Sequence, residues 1–240
     1  MIIPGGAFRR LVYNFEGEDV AKWLNSMGIA AFVLECRLPS DEHDNAEDVP
    51  LIDAMRAMRV IRGRVQEFGI DEAKIGVMGF SAGGFMAALL STAYESDVYA
   101  DYKYKDEYDK LSARPDFAVC SYPVISIDDC IEAGKRYMSE EQVLERISDS
   151  KAKILHKYNP DKLVRPDMPP VFICETDDDR TTLSENSVGF YMAARKAGVS
   201  AELHIFRTGG HGYGCGDDFA QTGEWKVLFT KWIKSIGIIS

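Results

Sequence analysis

Two hydrophobic periods alternate along this chain. Short apolar runs of strand length occur at 29–36 (IAAFVLEC), 74–78 (KIGVM), 116–122 (DFAVCSY), 171–175 (VFICE) and 201–206 (AELHIF), and residues 1–3 read as the end of another strand. Between them lie helical patterns. Residues 16–27 place Val20, Ala21, Trp23, Leu24 and Met27 on one face, with Gly28 as the stop. Residues 47–68 repeat the pattern with Leu51, Ile52, Met55, Met58 and Ile61. Further helices are predicted over 82–95, 184–197 (closed by Gly198) and 223–236. Strands alternating with helices predict an α/β fold with a mostly parallel sheet flanked by helices. Two stretches break the rhythm. Residues 94–114 set five tyrosines among charges, and 127–165 are polar and helical, with a capping box at Ser139-Glu140-Glu141-Gln142. The reading is a single domain over 1–240, with 94–114 and 127–165 as lid or cap insertions.

Charge narrows the partners. Lys and Arg number 28 against 38 Asp and Glu, a net charge of −10. An acidic surface repels phosphates, so neither nucleic acid nor an anionic membrane is expected as a partner. No apolar stretch approaches the length of a membrane span. The start, Met-Ile-Ile-Pro-Gly-Gly, shows no basic region followed by an apolar one, so the expected location is cytoplasmic. The five cysteines are widely spaced, without a C-x-x-C pair, and several sit in strand-like runs. They read as buried thiols in a reducing compartment, not as a disulfide frame or a zinc site.

Candidate chemistry concentrates at three strand ends. Ser81 lies in Gly79-Phe80-Ser81-Ala82-Gly83, between a strand and a helix-forming run. A serine there is held on a strained turn, clear of the sheet. Thr176-Asp177-Asp178-Asp179-Arg180 follows the strand at 171–175 directly, where α/β proteins place ligands. Gly209-Gly210-His211-Gly212-Tyr213-Gly214 follows the strand at 201–206. Serine, carboxylate and histidine in that order make a nucleophile, an orienting acid and a base. Asp177, Asp178 and Asp179 all remain open as the acid. His43, His156 and His204 follow no late strand end and read as structural. Pro4-Gly5-Gly6-Ala7-Phe8, after the first strand, offers backbone N–H groups for an oxyanion, with Ala82 N–H beside the nucleophile. Neither G-x-G-x-x-G nor G-x-x-x-x-G-K-[ST] occurs, which argues against nucleotide binding.

The stretches PGGAF, EGEDVAKWLNSMGIAAFVLECRL, IGVMGFSAGG, RPDFAVCSYPVIS, MPPVFICETDDD and SVGFYMAARKAGVSAELHIFRTGGHGYG resemble the bacterial acetylesterase and acetyl-xylan-esterase-like branch of the α/β-hydrolases, which is related to prolyl-oligopeptidase-type hydrolases. The resemblance implies a serine esterase for short acyl groups, often acetyl, on small molecules or oligosaccharides, with no cofactor and no metal. It implies Ser81 as nucleophile, His211 as base and Asp178, the first of the matched Asp-Asp pair, as the residue orienting the histidine. Gly6, Ala7 and Ala82 match the oxyanion donors. Arg180 and Tyr213 are candidate substrate contacts, although the residues alone favour Arg180 paired with a neighbouring carboxylate. Two departures stand out. Ala7 replaces the family's third glycine, which matters if φ there is positive. The family also carries an antiparallel strand pair before the oxyanion loop, so this chain is expected to lack that pair and to leave a bare sheet edge. Such an edge invites pairing with another copy of the chain. A prolyl-peptidase-like activity and an inactive binding protein are the alternative readings.

Overall fold

The computed structural model describes residues 1–39, 43–100, 102–148, 153–216 and 221–239. Parts of both expected insertions (101 and 149–152) therefore lie outside the described residues. Five parallel strands form one sheet in the order β1 (Ile2–Ile3), β2 (Val77–Phe80), β3 (Ala118–Ser121), β4 (Val171–Thr176) and β5 (Ala201–Phe206). The helices are α1 (Asp19–Ser26), α2 (Val49–Gly63), α3 (Val65–Phe68), α4 (Ala82–Ala93), α5 (Ile127–Tyr137), α6 (Glu140–Ser148), α7 (Lys153–Lys157), α8 (Ser184–Lys196) and α9 (Glu224–Ser235).

Period-2 alternation sorts the strand residues into two cores. Ile3, Val77, Ala118, Cys120, Val171 and Ile173 face a layer formed by α2, α4 and α8. Ile2, Met78, Phe80, Val119, Phe172 and Cys174 face the opposite layer, where α1 supplies Val20 and Leu24 and α9 supplies Trp225, Phe229, Trp232 and Ile233. A parallel sheet covered on both faces explains why its strands read as nearly continuous apolar runs. The central helix α4 is buried on every side from Ala82 to Thr92, as its uniformly apolar sequence requires.

Residues 29–36 depart from the expected buried strand. Only Val33 forms a bridge, to Ile2, with Ile2 N–H donating to Phe32 O (2.7 Å) and Leu34 N–H to Ile2 O (2.8 Å). This segment lies outside β1 at the edge of the sheet, so one of its sides has no strand neighbour among the described residues and its side chains are mostly half-buried. The helix expected over 47–68 is divided at Arg64, whose backbone leaves helical geometry between α2 and α3. The capping box forms: Gln142 N–H donates to Ser139 Oγ (3.3 Å) and Ser139 N–H to Gln142 Oε1 (3.0 Å). All five cysteines are buried, and none of them forms a disulfide.

The tyrosine-rich segment packs along α2. Arg59 stacks on the Tyr99 ring at 4.1 Å, Tyr102 stacks on Tyr99 at 5.1 Å, and Arg56 bridges Asp106 and Asp109. Helix α5 instead meets α8 and the loop after β4: Arg136 pairs with Glu185 of α8 (3.0 Å), and the Tyr137 ring faces Arg180 of the loop (5.3 Å).

The chain passes from β1 out to residues 32–34 and then back across β1 to β2. That reversal opens a crevice at the carboxyl ends of β1 and β2, where α/β sheets bind ligands. Phe172 holds the α9 layer to the sheet, with its ring 5.5 Å from Trp232 and 6.0 Å from Phe229. Phe172→Ala is expected to lower stability by about 3–5 kcal/mol in urea unfolding, since no solvent-side space can relax around it.

Candidate active site

Three strand ends converge on Ser81. The backbone at Ser81 has φ +53, left-handed for a residue with a side chain, which turns β2 sharply into α4. The turn closes against its neighbours without room to spare. A Cβ on Gly83 would sit 1.9 Å from Ile3 O, and one on Gly5 would sit 2.7 Å from Phe80 O and 2.9 Å from Ser81 Cβ. Glycine at both positions lets the loop after β1 lie directly on the serine turn.

Ser81 Oγ is 2.8 Å from His211 Nε2. On the other side of the ring, His211 Nδ1 is 2.6 Å from Asp179 Oδ2. With Asp179 ionised, Nδ1 carries the proton and donates to the carboxylate, which leaves Nε2 free to accept from the serine hydroxyl. Asp179 is 2 % exposed, and three further donors reach it. Thr181 and Thr182 N–H bind Oδ1 (2.7 and 3.0 Å), and Thr182 Oγ1 donates to Oδ2 (2.9 Å). Burial alone would raise this carboxyl, but the His211 hydrogen bond and charge and the Thr182 and Thr181 N–H groups outweigh it, holding Asp179 below the usual carboxylate range.

The expected acid, Asp178, stands elsewhere. Its Oδ1 accepts from Gly209 N–H (2.9 Å) and Gly210 N–H (2.8 Å), so it fastens the backbone of the histidine loop and does not touch the imidazole. The turn in which Asp179 N–H reaches back to Thr176 O (3.4 Å) brings the third aspartate inward. Asp177 still belongs to the β4–β5 ladder, its N–H donating to Phe206 O (2.8 Å). Tyr213 is also not at the surface of the site. It is buried beneath the histidine loop, its ring 4.5 Å from Tyr122, because an aromatic ring packs better there than in solvent. Arg180 faces the Tyr137 ring at 5.3 Å, a cation–π contact in place of the expected carboxylate pairing.

Gly6 has φ +129 and Ala7 φ +54, and Phe8 continues at +56. Among the described residues the N–H groups of Gly6, Ala7 and Ala82 have no protein acceptor. Gly5 N–H is already engaged, donating to Glu16 Oε2 at 2.7 Å. Sequence reasoning missed two residues here. Thr182 directly follows Thr181, which stands two positions after Asp179 at the spacing of an Asx turn. Glu16 sits in a polar stretch that reads as an exposed helix start.

The BD-FAE family model matches residues 1–193. The chain belongs to the BD-FAE family. An acetylxylan esterase of Xylanibacter ruminicola is 30% identical over 236 residues, covering 98% of this chain and 45% of that protein. Endo-1,4-beta-xylanase B of Butyrivibrio fibrisolvens is 31% identical over 219 residues, covering 91% of this chain and 33% of that protein. This BD-FAE chain thus spans less than half the length of those curated relatives. The crystal structure of an acetyl ester-xyloside bifunctional hydrolase from Caldicellulosiruptor lactoaceticus superposes with a TM-score of 0.80 at 38% identity, covering all of this chain and 84% of that one. The fold is the α/β-hydrolase fold. The match to the family ends before His211, so the imidazole is placed by the geometry above.

Two expectations follow. Ala7 is exposed and left-handed, so Ala7→Gly removes strain without removing contacts and should raise stability by about 1 kcal/mol in urea unfolding. The depressed Asp179 carboxyl contributes stability that is complete above its unfolded value near pH 4 and disappears as pH falls through its lower folded value. The stability difference between wild type and Asp179→Asn should therefore shrink below about pH 4, measured by urea unfolding at each pH.

Proposed function

We propose that this chain hydrolyses short-acyl carboxylic esters, acetyl above all, carried on small molecules or on sugars such as xylan fragments. The observation that carries this reading is the continuous relay from hydroxyl to imidazole to buried carboxylate, 2.8 Å and then 2.6 Å. Membership of the BD-FAE family, the acetylxylan esterase relative and the acetyl ester-xyloside hydrolase structure support the choice of ester and of acyl group.

In the proposed reaction Ser81 Oγ attacks the ester carbonyl while its proton passes to His211 Nε2. Asp179, unable to leave its three donors, fixes the ring and stabilises the imidazolium. The carbonyl oxygen becomes an oxyanion held by Ala82 N–H, at the first position of α4, and by the N–H groups of Gly6 and Ala7. The positive end of the helix dipole adds to this field. Collapse breaks the ester bond, and His211 gives its proton to the departing alcohol. Water then attacks the acyl-enzyme by the same route and releases the carboxylic acid.

Hydrolysis of p-nitrophenyl acetate tests the scheme. Ser81→Ala and His211→Ala should each lower kcat by about 10⁴-fold or more. Asp179→Asn should lower it by about 10⁴-fold, through the wrong ring tautomer, while Asp178→Asn loses far less. Equal losses at 178 and 179 would contradict the assignment of the acid, and unchanged turnover by Ser81→Ala would remove the mechanism. Across a panel of aryl esters and acetylated xylo-oligosaccharides, kcat/KM should fall as the acyl chain lengthens beyond acetyl. A preference for long acyl chains would overturn the substrate class.

A further inference from the structure

Glu16 is a buried carboxylate that the proposed reaction does not use. It is 3 % exposed and lies in a π-helical turn, Asn14–Glu18, where Glu18 N–H reaches back five residues to Tyr13 O (2.8 Å). Such turns widen the helix by one residue and re-aim its side chains, and they cluster at functional sites. Here the turn directs Glu16 inward beneath the serine turn. Each of its oxygens meets one donor: Gly5 N–H at Oε2 (2.7 Å) and the Tyr122 hydroxyl at Oε1 (2.8 Å).

Tyr122 continues the chain of contacts. It follows β3 with φ +37, a strained conformation for a residue with a side chain, and it is fully buried. Its hydroxyl donates to Glu16 and accepts from Gly214 N–H (3.0 Å), three residues after His211. Its ring stands edge-on to the His211 ring, with centroids 5.1 Å apart. Its carbonyl lies 3.3 Å from Thr182 Oγ1, the hydroxyl whose proton goes to Asp179. The far side of Gly214 is fixed as well, its carbonyl accepting from Trp225 Nε1 (3.1 Å).

We propose that Glu16 and Tyr122 form a buried positioning clamp that ties the oxyanion loop at Gly5 to the histidine loop at Gly214. Neither residue touches the reacting atoms. Engaging Gly5 N–H points the next two amides, Gly6 and Ala7, at the oxyanion, and engaging Gly214 N–H sets the height of the imidazole. A carboxylate suits the position because both partners are donors and both oxygens are acceptors, and its charge strengthens both bonds. The inference rests on the esterase reading of the same site.

The test measures kcat and KM for p-nitrophenyl acetate, with thermal midpoints, for wild type, Glu16→Gln, Glu16→Ala and Tyr122→Phe. Glutamine keeps the shape but offers one acceptor to two donors. A clamp predicts kcat lowered about tenfold in Glu16→Gln and about a hundredfold in Glu16→Ala, approaching the loss of a whole oxyanion donor, with KM unchanged. A merely structural role would lower the thermal midpoint and leave kcat of the folded fraction intact, which would overturn the proposal. Should the Glu16 variants not fold, Tyr122→Phe decides: it removes one hydroxyl, keeps the ring, and should lower kcat at unchanged KM. Wild-type kcat in Tyr122→Phe would sink the clamp. An inactive wild type would instead dispose of the esterase reading, so the two failures are distinguishable.

Discussion

The left-handed backbone at Ser81 is the constraint around which the site is arranged. A residue with φ +53 between a strand and a helix is unfavourable by about 1–2 kcal/mol and persists only where its surroundings overdetermine it. Ser81 N–H donates to Ser121 O (3.0 Å), its carbonyl accepts from Phe85 N–H (3.0 Å), and the loop after β1 presses on it from the other side. The reversal of strand order between β1 and β2 makes that approach feasible, because it brings two loops to one crevice with no crossover helix between them. The position of the Ser81 hydroxyl at the sheet rim and its proximity to free backbone amides therefore have a single structural origin.

Three buried carboxylates lie close to this point, and each is handled differently. Asp179 is surrounded by donors and a partner imidazole, so it stays ionised and can orient a ring. Glu175, at the end of β4, has fewer donors, and burial together with the neighbouring Asp179 charge pushes it well up. Glu16 is pushed up by burial, against which the Tyr122 hydroxyl, the Gly5 N–H and the His211 charge act. The same functional group thus supplies a permanent charge, a group biased towards its neutral form, and a bridge between two loops. Burial raises all three, and only at Asp179 do the donors and the imidazole outweigh it.

Much of this was legible in the sequence. Short apolar runs between helical patterns located the five strands of the sheet, and the serine turn and the glycine-flanked histidine stood out by residue type and by position after a strand. The illegible parts share a physical reason: they depend on where a backbone turns by one residue. Asp178 and Asp179 are adjacent and chemically identical, and the turn that places one on Gly209 and Gly210 and the other on Thr181 and Thr182 decides which faces the imidazole. Residues 29–36 are apolar enough for a buried strand, but apolarity does not report how many neighbours a strand has. Glu16 was invisible because a π-turn shifts its direction inward while the surrounding Asn, Gly and acidic residues suggest solvent.

Ala7 shows how far these constraints extend. The loop after β1 carries positive φ at Gly6, Ala7 and Phe8 in succession, and only the first is glycine. Phe8 is held by burial against Phe85, with ring centroids 5.7 Å apart, but Ala7 is exposed and has no such compensation. Its conformation must be imposed from its two sides. Upstream, Gly5 is fixed through Glu16 and through Val12 N–H on its carbonyl (3.0 Å). Around it, Arg9 and Arg10 N–H close on Gly6 O at 3.0 and 3.3 Å. A loop fixed at both ends can hold an alanine in a shape it would otherwise avoid. In the proposed reaction its amides are then preorganised for the oxyanion and need not reorganise when that charge appears.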